Sequence, residues 1–361
     1  MIGHLKHSSL TVLKHAGLTG RVAHSRWRRN RLLVLCYHGV SLSDEHEWNP
    51  GLYVSQEHLE RRLVLLRQHE CTVLPLATAI ERLYRRDLPE RAVVLTFDDG
   101  YYDFQERAWP LLRKYGFPAT VYLTTGRVDH NLPNVNLLIS YALWAARDTM
   151  LDGRGLIGLQ EHYSLATDTE RTRVLEQIVD AMQTSRSAEE TRDHVAMQIV
   201  ERLGLDYRAL LARRILTLMR QEEVAALSRQ GVDFQLHTHF HRTPDDASEF
   251  AQDVLRNRAR IEAMTGVTPR HFCYPSGNYL ARYIPALADL GVESATTCDP
   301  GIASPASNPL LLPRFIDTAP ISEIVFESWV TGIAACLPRR TRRGGFPLPP
   351  QPDANHAASG S

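Results

Sequence analysis

Two adjacent carboxylates, Asp98 and Asp99, stand where an apolar run from Ala92 to Phe97 ends at Gly100. Neighbouring side chains of a strand point to opposite faces, so only the end of a strand lets both acids reach one cleft. Two like charges side by side are costly to bury unless a cation or a shared proton compensates for them. A metal-assisted hydrolase uses such a pair, with one carboxylate on the metal and its neighbour handling protons. An Asp-Gly surface turn gives the same short pattern, so the rest of the chain must decide between the two.

Three histidines occupy alternate positions after a second apolar run, as His237, His239 and His241. The spacing of His237 and His241 puts two imidazoles on one face of a helical turn, and two histidines four apart are a familiar zinc-ligand arrangement. With one aspartate they provide three protein ligands and leave a fourth, tetrahedral position for water, as in catalytic zinc sites. If the segment is extended instead, all three histidines share one face and the ligand set changes.

A third segment, Phe272 to Tyr279, contains a Pro-x-Gly turn after a short aromatic strand, and such a turn can expose backbone N–H groups to a ligand. In the order TFDDG, HTxxH and FxYPxG, the three segments resemble the motifs of the polysaccharide deacetylase family, whose shared domain is named after the rhizobial chitooligosaccharide deacetylase. The segments 99–124 and Leu312-Pro313-Arg314-Phe315 are similar to the family as well. The likeness covers residues 32–126 and 222–330.

The resemblance implies a metal-dependent enzyme that removes the N-acetyl group from an amino sugar of a polysaccharide or glycan precursor and releases acetate. One divalent metal is implied, zinc first and cobalt or nickel as alternatives, because an Asp-His-His set suits several ions. Asp98 matches the general base that takes a proton from the attacking water, and Tyr274 and Ser276 match the oxyanion and substrate positions. The implied metal ligands are Asp99, His237 and His241.

Two departures from the family pattern concern proton transfer. Cys273 stands where many members have an arginine, and the late Leu-x-His that supplies the general acid is missing. His38, at the end of the apolar strand 32–37, resembles the early histidine of the deacetylases of exopolysaccharide systems, in which it takes the place of the acid. Arg314 is the matching replacement for the arginine, through pairing with Asp98. A structural hydrogen bond for His38 and an ordinary salt bridge for Arg314 are the alternatives.

Two other functions remain open at this stage. One is hydrolysis of a different non-peptide amide on the same fold, and the other is a non-catalytic glycan-binding relative that has kept the metal site. Asp98 argues against the second, while the missing late histidine argues for it.

Composition favours a soluble globular enzyme. The chain has 361 residues, of which 43% are apolar and 23% are charged, and its formal net charge of zero gives no reason to expect nucleic acid as a partner. No apolar stretch reaches the ~18 residues of a membrane span, and the N-terminus lacks the pattern of a signal peptide. We therefore expect a cytoplasmic protein. The widely spaced cysteines form no CxxC pair, and Cys36 and Cys273 are expected to pack as small buried residues beside the site.

Basic charge is concentrated near the two ends of the chain. Residues 1–43 contain seven Lys or Arg and no acid. This arm could lie as an amphipathic helix on an anionic membrane surface, which predicts peripheral contact with the inner membrane. A solvated or disordered arm is the alternative.

The alternation of strands and helices predicts an α/β fold with a parallel sheet closed as a barrel, and the resemblance implies an irregular (β/α) barrel of about seven strands with a helical insertion. We expect a basic arm at 1–30, the barrel at 31–126 and 221–337, a helical cap at 127–220 and a disordered tail at 338–361. The predicted strands are Ala92–Phe97 and Ala119–Leu123. The predicted helices are 56–70, 75–86, Ala108–Tyr115, Asn136–Arg147, Thr169–Gln183, Ala188–Arg202, Tyr207–Leu218, Gln221–Gln230, Ser248–Thr265 and Ile321–Leu337.

Overall fold

The computed structural model describes residues 10–14, 16–129, 132–185 and 189–337. Its strands, in chain order, are β1 (Leu33–Tyr37), β2 (Gly39–Val40), β3 (Tyr53–Val54), β4 (Thr72–Val73), β5 (Ala92–Asp99), β6 (Thr120–Leu123), β7 (Met150–Asp152), β8 (His162–Ser164), β9 (Asp233–Leu236), β10 (His271–Cys273), β11 (Ser294–Pro300) and β12 (Leu312–Ile316). The principal helices are α1 (Leu18–Ala23), α2 (Arg26–Arg29), α3 (Glu45–Trp48), α4 (Gln56–Gln68), α5 (Leu76–Arg85), α6 (Trp109–Tyr115), α7 (Val135–Ala145), α8 (Asp168–Thr184), α9 (Glu189–Arg202), α10 (Tyr207–Ala212), α11 (Gln221–Arg229), α12 (Ala247–Thr265), α13 (Tyr283–Asp289), α14 (Glu323–Thr331) and α15 (Ile333–Cys336).

Seven parallel strands close into a barrel, because β1 pairs with both β12 and β5. The order around the ring is β1, β12, β11, β10, β9, β6 and β5, and β4 extends the sheet from β5 outside the ring. The ring is irregular where β11 meets β12, with a register shift between Thr296 and Pro300. The predicted irregular (β/α) barrel is confirmed. Because all the strands of the ring run in parallel, their carboxyl ends meet at one mouth.

Strand alternation separates an inner from an outer apolar layer. In β1, Leu33 and Leu35 belong to the large core under the surrounding helices, whereas Val34 belongs to a smaller cluster that also contains Tyr122 and Cys273. Side chains of α5 pack against this smaller cluster as well. The same alternation in β5 puts Asp98 on the face of Val94, which is the face of the smaller cluster.

Most predicted elements appear with ends shifted by one or two residues, and two differ more. The helix predicted for Tyr207–Leu218 ends at Ala212, because the chain turns at Arg214 and Leu216, both with positive φ, and then lies beside Tyr101. The helix predicted for Ile321–Leu337 is divided at Gly332, whose φ is 92°. A Cβ there would lie 2.9 Å from atoms of Trp27 and Arg28, so the break has a packing reason.

The chain between β6 and α11 forms most of a second hydrophobic cluster, through α7 to α10 and the β7–β8 hairpin, and Tyr53 of β3 belongs to this cluster as well. We call the described residues 132–216 of this segment the cap. The cap packs against the segment after β2: the Tyr141 hydroxyl donates to Asp44 at 2.8 Å, and Trp48 of α3 packs edge-on against Tyr141 with ring centroids 5.6 Å apart. The limits predicted for the insertion, 127–220, stay a prediction.

The arm packs against the end of the described chain. Leu10 is buried, and Lys14 forms an ion pair of 2.5 Å with Glu327 on α14. The buried guanidinium of Arg28 donates to the carbonyls of Val330 and Ala92. Contact of the arm with a membrane surface stays a prediction. Residues 1–9 and the predicted tail lie outside the described residues. Within the described residues, no helix is long and apolar enough to cross a membrane.

Candidate active site

The two aspartates lie at the end of β5, at the mouth of the barrel. The strand continues through both, two residues beyond its predicted end, so its alternation directs Asp98 into the barrel. Asp99 has a φ of 70°, in the left-handed region, and Gly100 follows with a φ of 86°. This turn presents Asp99 at the mouth. The two neighbouring acids therefore enter different surroundings within one cleft.

Asp99, His237 and His241 converge on one point. The Oδ1 atom of Asp99 lies 3.3 Å from Nε2 of His237 and 3.1 Å from Nε2 of His241. The chain leaves the strand conformation after Leu236, and Thr238 and His241 both have positive φ. This turned backbone brings His237 and His241 together with ring centroids 5.0 Å apart.

His239 is directed elsewhere. Its Nδ1 lies 2.9 Å from the hydroxyl of Thr125, and it does not belong to the cluster of Asp99, His237 and His241. Residues 237–241 form neither the helical turn nor the extended arrangement in which three alternate histidines would share a face.

The three converging groups fit a divalent cation. A carbonyl oxygen can only accept, so the 2.8 Å contact between Nδ1 of His237 and the carbonyl of Cys273 fixes the proton on Nδ1 and leaves Nε2 as a lone-pair donor. The Oδ1 of Asp99 is buried and receives no hydrogen bond of acceptable geometry, although both imidazoles are near. Their ligand atoms all lie within 4.8 Å of one another. One carboxylate and two imidazoles are a ligand set that zinc accepts.

The pKa values of Asp99 and His241 are both shifted by the contact between the two groups. Burial alone would raise the pKa of Asp99, but the opposite effect, to which His241 contributes most, holds that pKa well below its usual range. Burial would likewise lower the pKa of His241, yet the Asp99 carboxylate raises it above the usual value. Asp99 thus favours the charged form of His241, and a cation bound between them would compete with a proton for this imidazole.

Helix α12 supports the histidine segment with two buried polar residues one turn apart. The Oδ1 of Asn257 accepts from the backbone N–H of His237 at 2.9 Å, and its amide donates to the carbonyl of Leu123 and to Thr125. One turn earlier, Asp253 accepts from the N–H of His239 at 2.7 Å. Sequence reasoning missed both residues. The signal was present, since they are polar positions on the face of an amphipathic helix that is otherwise buried.

Asp98 is enclosed by donors. Both of its oxygens accept from the guanidinium of Arg314, each at 2.8 Å, and Nε of Arg314 is held by the carbonyl of Thr297. The thiols of Cys36 and Cys273 also point to Oδ2, at 3.6 and 3.4 Å. Burial raises the pKa of both thiols, so they stay protonated and can donate. Burial also favours a higher pKa for Asp98, but Arg314 outweighs it and holds that pKa well below the usual value.

His38 follows β1 at the same mouth. Its Nε2 lies 3.8 Å from Oδ2 of Asp98, and 16% of its side chain is exposed. Burial lowers the pKa of His38, against the opposing effect of Asp98 and Asp99. The imidazole is therefore neutral at neutral pH, beside the carboxylate and open to the cleft.

Tyr274 and Ser276 follow β10. The hydroxyl of Tyr274 donates to the carbonyl of Leu310 at 3.1 Å, and its backbone N–H donates to Thr296. These contacts do not support direct binding of substrate by Tyr274. Ser276 lies in a short turn with a φ of 55° and is half-buried at the mouth. Its oxyanion role stays a prediction.

A polysaccharide deacetylase family model matches residues 85–295, which is more than half of the chain. The chain belongs to the polysaccharide deacetylase family. The matched range contains both aspartates, the two candidate ligands His237 and His241 and the third motif, whereas His38 and Arg314 lie outside it.

Relatives and solved structures agree with this family. The poly-beta-1,6-N-acetyl-D-glucosamine N-deacetylase of Staphylococcus aureus (strain MSSA476) is 33% identical over 126 residues, which are 31% of this chain and 43% of that protein. The chain thus spans about two fifths of the length of this curated relative. Among solved structures, the deacetylase PplD of Streptococcus pyogenes has a TM-score of 0.55 at 18% identity and covers 85% of this chain and 99% of its own. IcaB from Ammonifex degensii has a TM-score of 0.54 at 19% identity and covers 83% and 97%. These two structures share the fold of this polysaccharide deacetylase.

Proposed function

We propose that this polysaccharide deacetylase is a metal-dependent N-deacetylase that releases acetate from an N-acetylated amino sugar in a glycan, in the assembly of an exopolysaccharide. The observation that carries the proposal is the convergence of Asp99, His237 and His241 on one point, with the separately held carboxylate of Asp98 beside them. A ligand set with an open position next to a buried base is the composition of a hydrolytic metal site. The similarity to the Staphylococcus aureus poly-beta-1,6-N-acetyl-D-glucosamine N-deacetylase supports the same chemistry.

Asp99, His237 and His241 would hold the metal, with zinc as the first choice. When bound, the metal supplies Lewis-acid polarisation of the acyl oxygen and a lower pKa for water. Asp98 accepts the proton of the attacking water, and the two hydrogen bonds from Arg314 fix the plane of its carboxylate for this step. The N–H of Ser276 is proposed to stabilise the oxyanion.

The proton must then reach the leaving amine. A carboxylate stabilised by a guanidinium holds a proton weakly, because its pKa is depressed. His38 is neutral, lies 3.8 Å away and is open to the cleft. We assign the transfer to His38, which receives the proton that Asp98 took from water and delivers it to the amine nitrogen. One proton thus serves both steps, and no other acid is needed.

The test uses purified protein freed of metal with a chelator and reloaded with zinc or cobalt. Bound metal is measured by elemental analysis, and acetate release is measured with β-1,6- and β-1,4-linked oligomers of N-acetylglucosamine. Asp98→Asn is expected to keep the metal and lose about 10²–10⁴-fold in kcat, as expected for loss of a general base. His237→Ala is expected to lose both metal and activity. His239→Ala is the matched control for metal content, because this neighbouring histidine is bound to Thr125 and should not affect metal retention.

The variant His38→Ala tests the proposed general acid separately from the proposed general base, Asp98. It is expected to keep the metal and lower kcat by about 10²-fold or more, and a near-wild-type rate would show that the proton travels another way. A metal-loaded wild type that releases no acetate from either oligomer would contradict the deacetylase proposal for these sugars. Binding of the oligomers without turnover would then favour a glycan-binding relative, and release of ammonia or amine from another amide would favour a different hydrolase.

A further inference from the structure

A second group of metal-ligating side chains lies beside the proposed zinc ligands. Cys36, His38 and Asp98 each offer one ligand atom, and these three atoms all lie within 4.8 Å of one another. The group contains a thiol, which the proposed zinc site lacks. Thiolate sulfur binds soft divalent cations in preference to hard ones. The protein therefore has a second candidate ligand set, and its chemical preference differs from that of the first.

The sequence places these three side chains on one face of two paired strands. Cys36 and His38 are two residues apart at the end of β1, where the chain is extended, so their side chains point to the same face. The register of β1 with β5 sets Cys36 beside Thr96, and Asp98 is two residues further along β5. Because the two strands are parallel, Asp98 stands level with His38 on the inner face of the barrel.

The distances between the ligand atoms are close to those of a tetrahedral site. The Sγ of Cys36 lies 3.6 Å from Oδ2 of Asp98, and the Nε2 of His38 lies 3.8 Å from the same oxygen. Ligand atoms about 2.0–2.3 Å from a tetrahedral ion are separated from one another by roughly 3.3–3.6 Å. His38 is the least buried of the three residues, so its ring can make the remaining adjustment.

The other thiol near Asp98 belongs to a group that zinc would disrupt. Asp98, His237 and Cys273 also have ligand atoms within 4.8 Å of one another. His237 is a ligand of the proposed zinc site, so its imidazole is not available to a second ion once zinc is bound. Among the ligand groups in the described part of the chain, only that of Cys36 and His38 therefore shares no residue with the zinc site.

Arg314 restricts which cation can bind to this group. Its guanidinium already gives two hydrogen bonds to the Asp98 carboxylate, so an incoming cation meets a positive charge. Strong binding to thiolate can offset this repulsion, which favours cadmium or excess zinc over magnesium or calcium. The ion displaces the proton of the Cys36 thiol, which leaves to solvent. The Oδ2 of Asp98 has a second lone pair for the ion, so its bond from Arg314 can remain.

We propose that Cys36, His38 and Asp98 form an inhibitory site for a soft divalent cation, separate from the proposed zinc site. The ion reaches the group from the cleft, to which His38 is open. There it occupies Nε2 of His38 and Oδ2 of Asp98, the two atoms assigned to proton transfer. Turnover then stops while the zinc stays in place. Binding of the ion is independent of the proposed function, whereas the inhibition rests on it.

The experiment titrates the zinc-loaded protein with cadmium. Elemental analysis after gel filtration measures bound cadmium and retained zinc, and ultraviolet absorption detects charge transfer from thiolate to cadmium. The proposed zinc ligands contain no sulfur, so cadmium at that site gives no such absorption. We expect one cadmium ion per chain beside the retained zinc, thiolate absorption, and loss of acetate release that dithiothreitol reverses. Magnesium and calcium should leave acetate release unchanged.

Variants of single cysteines identify the ligand. Cys36→Ser is expected to weaken cadmium binding by more than about 100-fold, because residues that only support a metal ligand are already worth about 10–100-fold. Cys273→Ser is the matched control, since its thiol lies 3.4 Å from the Asp98 carboxylate but outside the proposed group. Cys336→Ser controls for an exposed thiol. Each variant is compared with its own activity before cadmium is added. Circular dichroism and zinc content show whether Cys36→Ser is folded, and Cys36→Ala replaces it if it is not.

The outcomes separate the site from the proposed function. Thiolate absorption and inhibition that persist in a folded Cys36 variant would overturn the proposal. Cadmium that replaces zinc one for one, without thiolate absorption, would overturn it as well. Cadmium bound through Cys36 to an enzyme that still releases acetate at its full rate would overturn the inhibitory role. If cadmium binds through Cys36 but the zinc-loaded protein releases no acetate even before its addition, the cation site stands and the proposed function fails.

Discussion

Removing the guanidinium of Arg314 would leave Asp98 as an uncompensated buried charge. Arg314 is fully buried, Asp98 is 2% exposed, and the pair shares two hydrogen bonds of 2.8 Å. Deleting one partner of such a pair typically costs about 3–5 kcal/mol, because the remaining charge keeps its desolvation penalty. Arg314→Met in metal-free protein is therefore expected to lower the free energy of unfolding by about this amount near pH 7.5.

The pKa of Asp98 determines how the destabilisation by Arg314→Met changes with pH. In the wild type the pKa of Asp98 is depressed by Arg314, so the contribution of the pair is fully present above the unfolded-state pKa of about 3.9 and is lost only below it. In Arg314→Met the largest effect that opposes burial is gone, so burial is expected to raise the pKa of Asp98 against the weaker effects of His237 and His38. The destabilisation is then largest at high pH and shrinks as the acid takes up a proton.

Denaturant unfolding followed by circular dichroism, at about pH 7.5 and about pH 5, measures both quantities. The difference between wild type and Arg314→Met should be smaller at the lower pH. The double variant Asp98→Asn with Arg314→Met is the control, and it should recover much of the lost stability because no charge remains to be buried. A difference below about 1 kcal/mol that does not change with pH would refute the reasoning, and would mean that Cys36 and Cys273 suffice to hold the carboxylate.

Three further predictions follow from buried groups near the mouth. Burial raises the pKa of Asp103, so its contribution to stability is present below the unfolded-state pKa and is lost as the pH rises. The substitution Asp103→Asn keeps an acceptor for the N–H of Val40. It should raise the free energy of unfolding by roughly 1–3 kcal/mol at pH 8 and by much less near pH 4. Asn257→Ala should weaken zinc binding about 10–100-fold without removing a ligand, measured by competition with a chromophoric chelator, and unchanged affinity would contradict its supporting role. Gly277→Ala should lower the free energy of unfolding by about 1–3 kcal/mol, because the φ of Gly277 is 70° and a Cβ there would lie 2.5 Å from Cβ of Cys298. Denaturant unfolding measures this change. Gly204→Ala is the control, because Gly204 has a similar φ but open space around it, and the difference between the two variants isolates the cost of packing.

The barrel was predictable because its strands are short apolar runs separated by amphipathic helices. The order of the three motifs along the chain also indicated the family. Their carboxylates and imidazoles can act together only if the strands before them end at the same mouth of the barrel. The sequence also placed the two neighbouring aspartates at the end of β5, where both reach one cleft. The extra two residues of β5 and the left-handed turn at Asp99 were not predictable, because they depend on pairing with Tyr122 and Leu123 of β6.

The supporting residues were harder to predict. Asp253 and Asn257 lie on the apolar face of an amphipathic helix, and this position indicates that they are buried but does not identify their partners. Only the tertiary position of the helix against the histidine segment gives them partners. Cys36 and Cys273 were expected to pack beside the site, but their role as donors to Asp98 depends on three strands meeting inside the ring. The early end of the helix at Ala212 likewise depends on contacts with Tyr101.

The closure of the ring has a consequence for how the molecule is made. Strand β1 pairs with β5, which is synthesised soon after it, but its second neighbour, β12, is separated from it by about three quarters of the chain. During translation the aspartates therefore emerge long before Arg314, and until then Asp98 lacks its cation. Since domains generally complete folding as units, a nascent chain that stops short of residue 312 keeps an open sheet edge and an unneutralised acid at its centre. Strand β12 supplies the last hydrogen bonds of the ring and also Arg314, whose positive charge compensates the buried carboxylate of Asp98.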